Sequence, residues 1–395
     1  MVFRAELVLF ALAFGVVCQG CLHGLHSSVP EEWFNTKWTY NESDAAVKIG
    51  LLPPSQWKKS FGLCDVDLKN AHQSPIDIQH SDVPEGRAGV LPLEFGNVTC
   101  GLSYRNIGST LSAMPTNPDA CKAGFTTYSG TSYKFYEAHI HWHQFHNHKG
   151  TEHKVDGQAE AVEVHLVHYN AKFKSMQDAY DDANVGNVAV VAVRYTVAPT
   201  QDNASEVVAF NYFIVPTYPD LAYMDPNVSV KGDAINPYDL IGTALPRTDL
   251  PMYHYNGSVT TPRCDSIVSW YVVQQTVMMS QAQMHQLRFF THVNRSEATK
   301  PKLGFNNDAN VRPVAPMNGR LIVAWPYVVE PNITSDSDES GLASESDDES
   351  GLKGWEVGLI VGGSVLGAAL VAGLIIFLII KLGGNKKHYE AVVNA

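Results

Sequence analysis

The sequence predicts a mainly β (α+β) domain with short peripheral helices, followed by one C-terminal transmembrane helix. Three observations predict it. Short alternating or apolar runs rich in β-branched and aromatic residues recur between Pro, Gly and Asn signals: "AVEVHLVHYN", "NVAVVAVRYTV", "VVAFNYFIV", "SIVSWYVV" and "GRLIVAWPYVV". One segment reads clearly as helix, "SQAQMHQLRFFTHV", where Ser280 caps a stripe of Met284, Leu287 and Phe290. The 24 residues from Val357 to Ile380 carry no charge. At about 1.5 Å per residue they cross a hydrocarbon core of about 30 Å with some tilt.

Taken in order, residues 1–20 combine an early Arg4, an apolar run too short to span and a small residue at Gly20, the pattern of a cleaved signal peptide. Residues 21–329 make one domain, because no linker-like stretch divides them. Residues 330–356 hold the near-duplication "SDSDESGL" and "SESDDESGL". Between Glu330 and Gly354, eight acidic residues against Lys353 supply −7 of the net −12. With no aromatic residue to bury between Glu330 and Gly354, this stretch stays solvated as a stalk. The spanning segment, 357–380, is followed by a tail, 381–395, whose Lys381, Lys386 and Lys387 orient the tail to the cytoplasm and the domain to the outside. A lipid-anchor signal is the alternative, but polar residues follow the apolar run. Gly358 and Gly362, then Gly363 and Gly367, offer a small-residue face for a homodimer.

Cysteine usage agrees with export. Cys18 falls in the signal, leaving Cys21, Cys64, Cys100, Cys121 and Cys264, four of which can pair in an oxidising compartment. Sequons at Asn41, Asn97, Asn203, Asn227, Asn256, Asn294 and Asn332 point the same way. No basic stripe is present, which argues against a nucleic-acid partner.

The chemistry concentrates in "EAHIHWHQFHNH", Glu137 to His148. On a strand, His139, His141 and His143 share one face and Ala138, Ile140 and Trp142 the other. A second strand, "AEAVEVHLVHYN", places Glu163 and His165 on one face. If the two strands are antiparallel neighbours, His139, His141 and His165 converge on one ion, with a fourth position open as in a catalytic zinc site.

These residues lie among five ordered blocks: "QSPIDI" at Gln73 to Ile78, "HIHWH", "GTEHKVDGQAEAVEVHLVHYN", "NGSVTTP" at Asn256 to Pro262, and "NVRPVAPMNGR" at Asn310 to Arg320. The set resembles the signature of the α-class carbonic anhydrases from about Trp38 to Val328, with the architecture of their membrane-anchored extracellular members. The resemblance implies a large mixed, mostly antiparallel central sheet. It also implies a zinc enzyme that reversibly hydrates carbon dioxide to bicarbonate and a proton by zinc-bound hydroxide attack. The metal ligands would be His139, His141 and His165. Thr260 would orient the hydroxide with its proton passed to Glu152, and Thr261 would touch bicarbonate. Val167, Val190, Val259 and Trp270 would wall the substrate, although each of the valines can equally be core. Glu163 would hold His165, and His153 and His168 match buried structural histidines. Cys64 would pair with Cys264, and Cys100 with Cys121.

Three departures from the family pattern stand out. Glu137 replaces a glutamine beside the first ligand, which predicts tighter metal retention and a raised midpoint of the pH–rate profile. Ser109 stands where the proton-shuttle histidine is usual, so proton transfer should limit turnover unless His143, His146 or His148 substitutes; solvated-surface roles are the alternative for these three. In "TTPRC", Arg263 replaces the second proline, whose peptide bond is cis in the family, leaving the loop's path beside Thr260 open. A carbonic-anhydrase-like adhesion or receptor ectodomain is the competing reading, and the intact triad with Thr260 and Glu152 argues for the enzyme. A mineral-templating role for the acidic stalk is a third.

Overall fold

The computed structural model describes residues 38–40, 42, 52–68, 71–84, 93–107, 109–200, 207–214, 221, 229–242, 250–290 and 309–325. The predicted signal peptide, stalk, spanning segment and tail lie outside these residues, as do Cys21 and the sequons other than Asn97 and Asn256. Among the described residues no helix is long and apolar enough to cross a membrane.

In chain order the strands are β1 (Asp77–Ile78), β2 (Leu93–Phe95), β3 (Cys100–Asn106), β4 (Leu111–Pro115), β5 (Gly124–Thr127), β6 (Ser132–Trp142) and β7 (Lys154–Val155). They continue as β8 (Val162–Asn170), β9 (Val188–Val197), β10 (Val230–Ile235), β11 (Met252–Gly257), β12 (Val268–Val273), β13 (Val277–Met279) and β14 (Val323–Trp325). Among the described residues three short α-helices accompany them: α1 (Met176–Asp181), α2 (Val208–Ile214) and α3 (Gln281–Leu287). Twelve strands form one sheet with the main order β10-β3-β4-β6-β8-β9-β12-β11-β14. Its pairs are antiparallel except where β9 meets β12 and β13. This is the large mixed sheet expected.

The central strands are apolar on both faces because both faces are covered. One face packs Ala138, Ile140, Trp142, Val164, Leu166, Val191 and Val193 into the larger core. The other carries Val167, Val190, Ala192, Tyr255, Trp270 and Val272. A register shift in β6 between Phe135 and Glu137 decides which side chains reach which face. Tyr133 and Phe135, odd-numbered, point into the larger core, but beyond the shift it is Ala138 and Ile140 that do so. The extra residue, Tyr136, thus reverses the parity and turns Glu137, His139 and His141 toward the smaller core.

The segment "VVAFNYFIV", expected as a strand, contains helix α2 instead. A short apolar run has no period that separates strand from helix, and packing decides it. Val207, Ala209 and Phe210 are buried, and the Gln283 amide at the start of α3 donates to the Val207 carbonyl (3.0 Å) and to Asn211 Oδ1 (3.0 Å). Helix α3 begins as predicted, with Ser280 and Gln283 forming a reciprocal capping box, but ends at Leu287 rather than running on. Helix α1, capped by Ser175, was not anticipated; it buries Met176, Ala179 and Tyr180.

Disulfides join Cys64 to Cys264 and Cys100 to Cys121. The Pro262–Arg263 peptide is cis, as is Ser74–Pro75. Between β11 and the Thr260 loop, Gly257 permits a close approach: a Cβ there would lie 2.1 Å from Ser74 Oγ. That hydroxyl accepts the Ser258 N–H at 3.1 Å and so anchors the loop.

Candidate metal centre

Neighbouring strands bring the predicted ligands together. In the β6–β8 register His139 lies opposite His165, and His141 opposite Glu163. His139 Nε2 is 3.2 Å from His165 Nδ1, and one nitrogen from each of the three rings falls within 4.8 Å of the others. All three rings are buried.

The remaining nitrogen of each ring is engaged, which fixes its orientation. His139 Nδ1 meets Glu137 Oε1 at 3.1 Å, His141 Nδ1 the Asn310 carbonyl at 2.6 Å, and His165 Nε2 meets Glu163 Oε1 at 2.7 Å. His139 Nε2, His141 Nε2 and His165 Nδ1 therefore face one point, and buried His141 Nε2 has no hydrogen-bond partner. A cation that accepts nitrogen ligands fits this set. Burial holds His141 well below the usual imidazole range and lowers His165 to about 4, so both rings are neutral and ready to ligate at physiological pH.

Glu163 also bridges to His153, whose Nδ1 is 2.6 Å from Oε1 and whose Nε2 is 2.7 Å from the Tyr255 hydroxyl. Burial pushes Glu163 up, but His153 and His165 outweigh it and leave the carboxyl well below its ordinary value.

Glu152 lies beside the triad, with Oε2 3.5 Å from His141 Nε2. Its other oxygen accepts the Arg312 backbone N–H at 2.9 Å. Burial raises the carboxyl well above the usual range, opposed by hydrogen bonds from the Thr260 hydroxyl and the Arg312 backbone. Arg312 itself, lowered to about 10 by burial, remains cationic at neutral pH. Its guanidinium ties the Ser74 carbonyl (2.7 Å), Gln73 Oε1 (2.9 Å) and the Cys64 carbonyl (3.3 Å) together.

Val167, Val190 and Trp270 belong to one buried cluster, with Val259 packed against it. The Trp270 ring sits 4.9 Å from that of His165, which puts this apolar wall against the triad. Thr260 and Thr261 are both buried. Ser109 is buried too, its carbonyl accepting from Asn310 Nδ2 at 2.8 Å. His143 lies just past the end of β6, bridged to Ala309, with Nδ1 accepting the Phe145 N–H at 3.1 Å. His146 and His148 are exposed.

Sequence reasoning missed Ser112, whose hydroxyl donates to Glu137 Oε2 at 3.1 Å, and the part played by the Asn310 carbonyl. The "NVRP" block pointed to the region, but a backbone acceptor leaves no side-chain signal.

A large mixed sheet that aims three imidazole nitrogens at one point, beside an apolar wall and the buried Glu152 carboxyl, has a donor set that fits a metal ion held by nitrogen ligands alone. Comparison with known proteins narrows the class. The chain belongs to the eukaryotic-type carbonic anhydrase family, whose profile matches residues 52–325. It is 29% identical to Homo sapiens carbonic anhydrase 12 over 295 residues, 72% of this chain and 73% of that protein. It is 30% identical to Mus musculus carbonic anhydrase 15 over 302 residues, 73% and 83%. Bos taurus carbonic anhydrase 6 is 28% identical over 294 residues, 73% and 80%.

Proposed function

We propose that this protein is an extracellular, membrane-anchored zinc enzyme that reversibly converts carbon dioxide and water to bicarbonate and a proton. Carbonate dehydratase activity follows from family membership. The observation that carries the zinc assignment is the set of three inward nitrogens with every outward nitrogen already bonded. His139, His141 and His165 would hold the ion. Zinc so held supplies the Lewis acidity that makes hydroxide available near neutral pH.

The residues around it divide the remaining work. Thr260 would give its proton to Glu152, act only as an acceptor toward the nucleophile, and so orient the attacking lone pair. Thr261, next along the loop, contacts the bicarbonate product. Val167, Val190, Val259 and Trp270 hold carbon dioxide, which has no charge for a polar group to grip. Ser109 cannot carry a proton near neutral pH, so release to solvent limits turnover. The placement outside the membrane rests on the 1–20 leader and the uncharged 357–380 run. Of the sequons, Asn97 and Asn256 are exposed and suited to carry sugar.

Stopped-flow carbon dioxide hydration by the full-length protein, with zinc measured on the same sample, tests the proposal. One zinc per chain with turnover that is lost on chelation and restored by zinc is expected. Full zinc occupancy without hydration would overturn it.

A further inference from the structure

The loop that carries Thr260 and Thr261 is closed by a polar clasp at the position where the family resemblance leads one to expect proline. Arg263 Nη2 donates to Asp265 Oδ1 at 3.1 Å, and the guanidinium lies 5.1 Å from the centre of the Tyr180 ring on α1. The two charged side chains are mostly withdrawn from water, 22% and 8% exposed. Asp265 connects directly to the catalytic segment, because its carbonyl accepts the Val259 N–H at 3.0 Å and the Ile267 N–H at 3.0 Å. Cys264, between the charged pair, donates its N–H to the Thr261 carbonyl at 2.8 Å. Its own carbonyl accepts from Gln73 Nε2 at 2.9 Å. Besides the Ser258–Ser74 bond, the loop is thus anchored at Val259 through the Asp265 carbonyl and at Thr261 through the Cys264 N–H, each within one residue of Arg263 or Asp265.

We infer that Arg263 is a positioning residue for the hydration reaction, acting through Asp265 and Tyr180 to hold the Thr260–Thr261 segment over the metal position. The inference rests on the roles proposed above for those two threonines. Arg263 touches no reacting atom. It holds Asp265 from one side by charge and packs on Tyr180 from the other, which ties the loop to α1. Burial raises the Asp265 carboxyl above its ordinary value, and Arg263 and Tyr180 oppose that rise.

The test is a double-mutant cycle on full-length, zinc-loaded protein with Arg263→Met and Asp265→Asn, reading kcat, KM, zinc content and unfolding midpoint. Each single variant is expected to lose about tenfold in kcat with one zinc retained, because small displacements of an orienting group are costly. The double variant should lose little more than either single one, since both break the same contact. Arg263→Lys, which keeps the charge, should recover part of kcat. A purely structural role would lower the unfolding midpoint while leaving kcat within twofold, and that result overturns the inference. Additive losses in the cycle overturn it as well. Wild-type protein that binds zinc without turning over would instead remove the reading on which it rests.

Discussion

Glu137 and His139 are joined carboxylate to imidazole, Oε1 to Nδ1, at 3.1 Å inside the sheet. Ser112 secures the carboxylate's other oxygen, and Glu137 is 1% exposed. Two of the three convergent rings are therefore backed by carboxylates. Glu137→Gln keeps the shape and removes the charge, so zinc should be lost about tenfold faster to a chelator. The midpoint of the pH–rate profile should also move down, since less negative charge remains beside the ion. A rising or unmoved midpoint contradicts this account.

In the proposed mechanism Ser109, which carries no imidazole, leaves turnover under a kinetic ceiling. An acid of pKa about 7 recombines with protons no faster than about 10¹⁰ M⁻¹s⁻¹, limiting release to plain water to roughly 10³ s⁻¹. Turnover should climb with imidazole concentration until chemistry takes over, and Ser109→His should raise the buffer-independent rate by about tenfold. Turnover indifferent to imidazole would point to His143, His146 or His148 as a substitute relay.

In the proposed mechanism Thr260 and Glu152 act as a pair, and each should fail alone. Thr260→Ala and Glu152→Gln should each lower kcat by about a hundredfold with zinc content unchanged. The double variant should be scarcely worse than either single one. Independent, multiplicative losses would separate their roles.

His168 provides an acid-stability test remote from the triad. Burial among Phe125, Phe135 and Tyr238 lowers it from 6.5 to about 3. The folded pKa is depressed, so above pH 6.5 both folded and unfolded chains hold the ring neutral and nothing is lost. As pH falls from 6.5 toward 3 the unfolded state binds the extra proton, and stability declines by about 1.4 kcal/mol per pH unit from this group. His168→Gln, still able to meet the Tyr238 hydroxyl, should flatten urea-unfolding stability between pH 6 and 4 by about that slope. An unchanged slope would show the ring protonating in place.

The triad was legible because a strand's period of two is written directly in "HIHWH" and "VEVHLVH", and Val, Ile and Trp at the intervening positions mark the opposite face. The first turn of α3 was legible for a similar reason, since Ser280 and Gln283 cap it locally. Segment Val208–Ile214 was not, because its helix depends on Gln283, more than seventy positions away.

By itself the sequence determined the residue chemistry of this protein: three histidines at strand spacing, a threonine and a glutamate in ordered blocks, and an acidic, cysteine-poor stretch ending in an uncharged run. Those are properties of local pattern and composition. Only the tertiary structure decided which faces the side chains take and what holds them. The shift at Tyr136 turns His139 and His141 to the face that His165 shares. The Asn310 carbonyl, 169 positions from His141, leaves Nε2 as that ring's inward atom. The Arg263–Asp265 clasp reaches Tyr180 across the fold. The first two depend on a register slip and on a backbone atom that every residue carries alike, and the third on side chains that only the fold brings together, so local pattern leaves no trace of them.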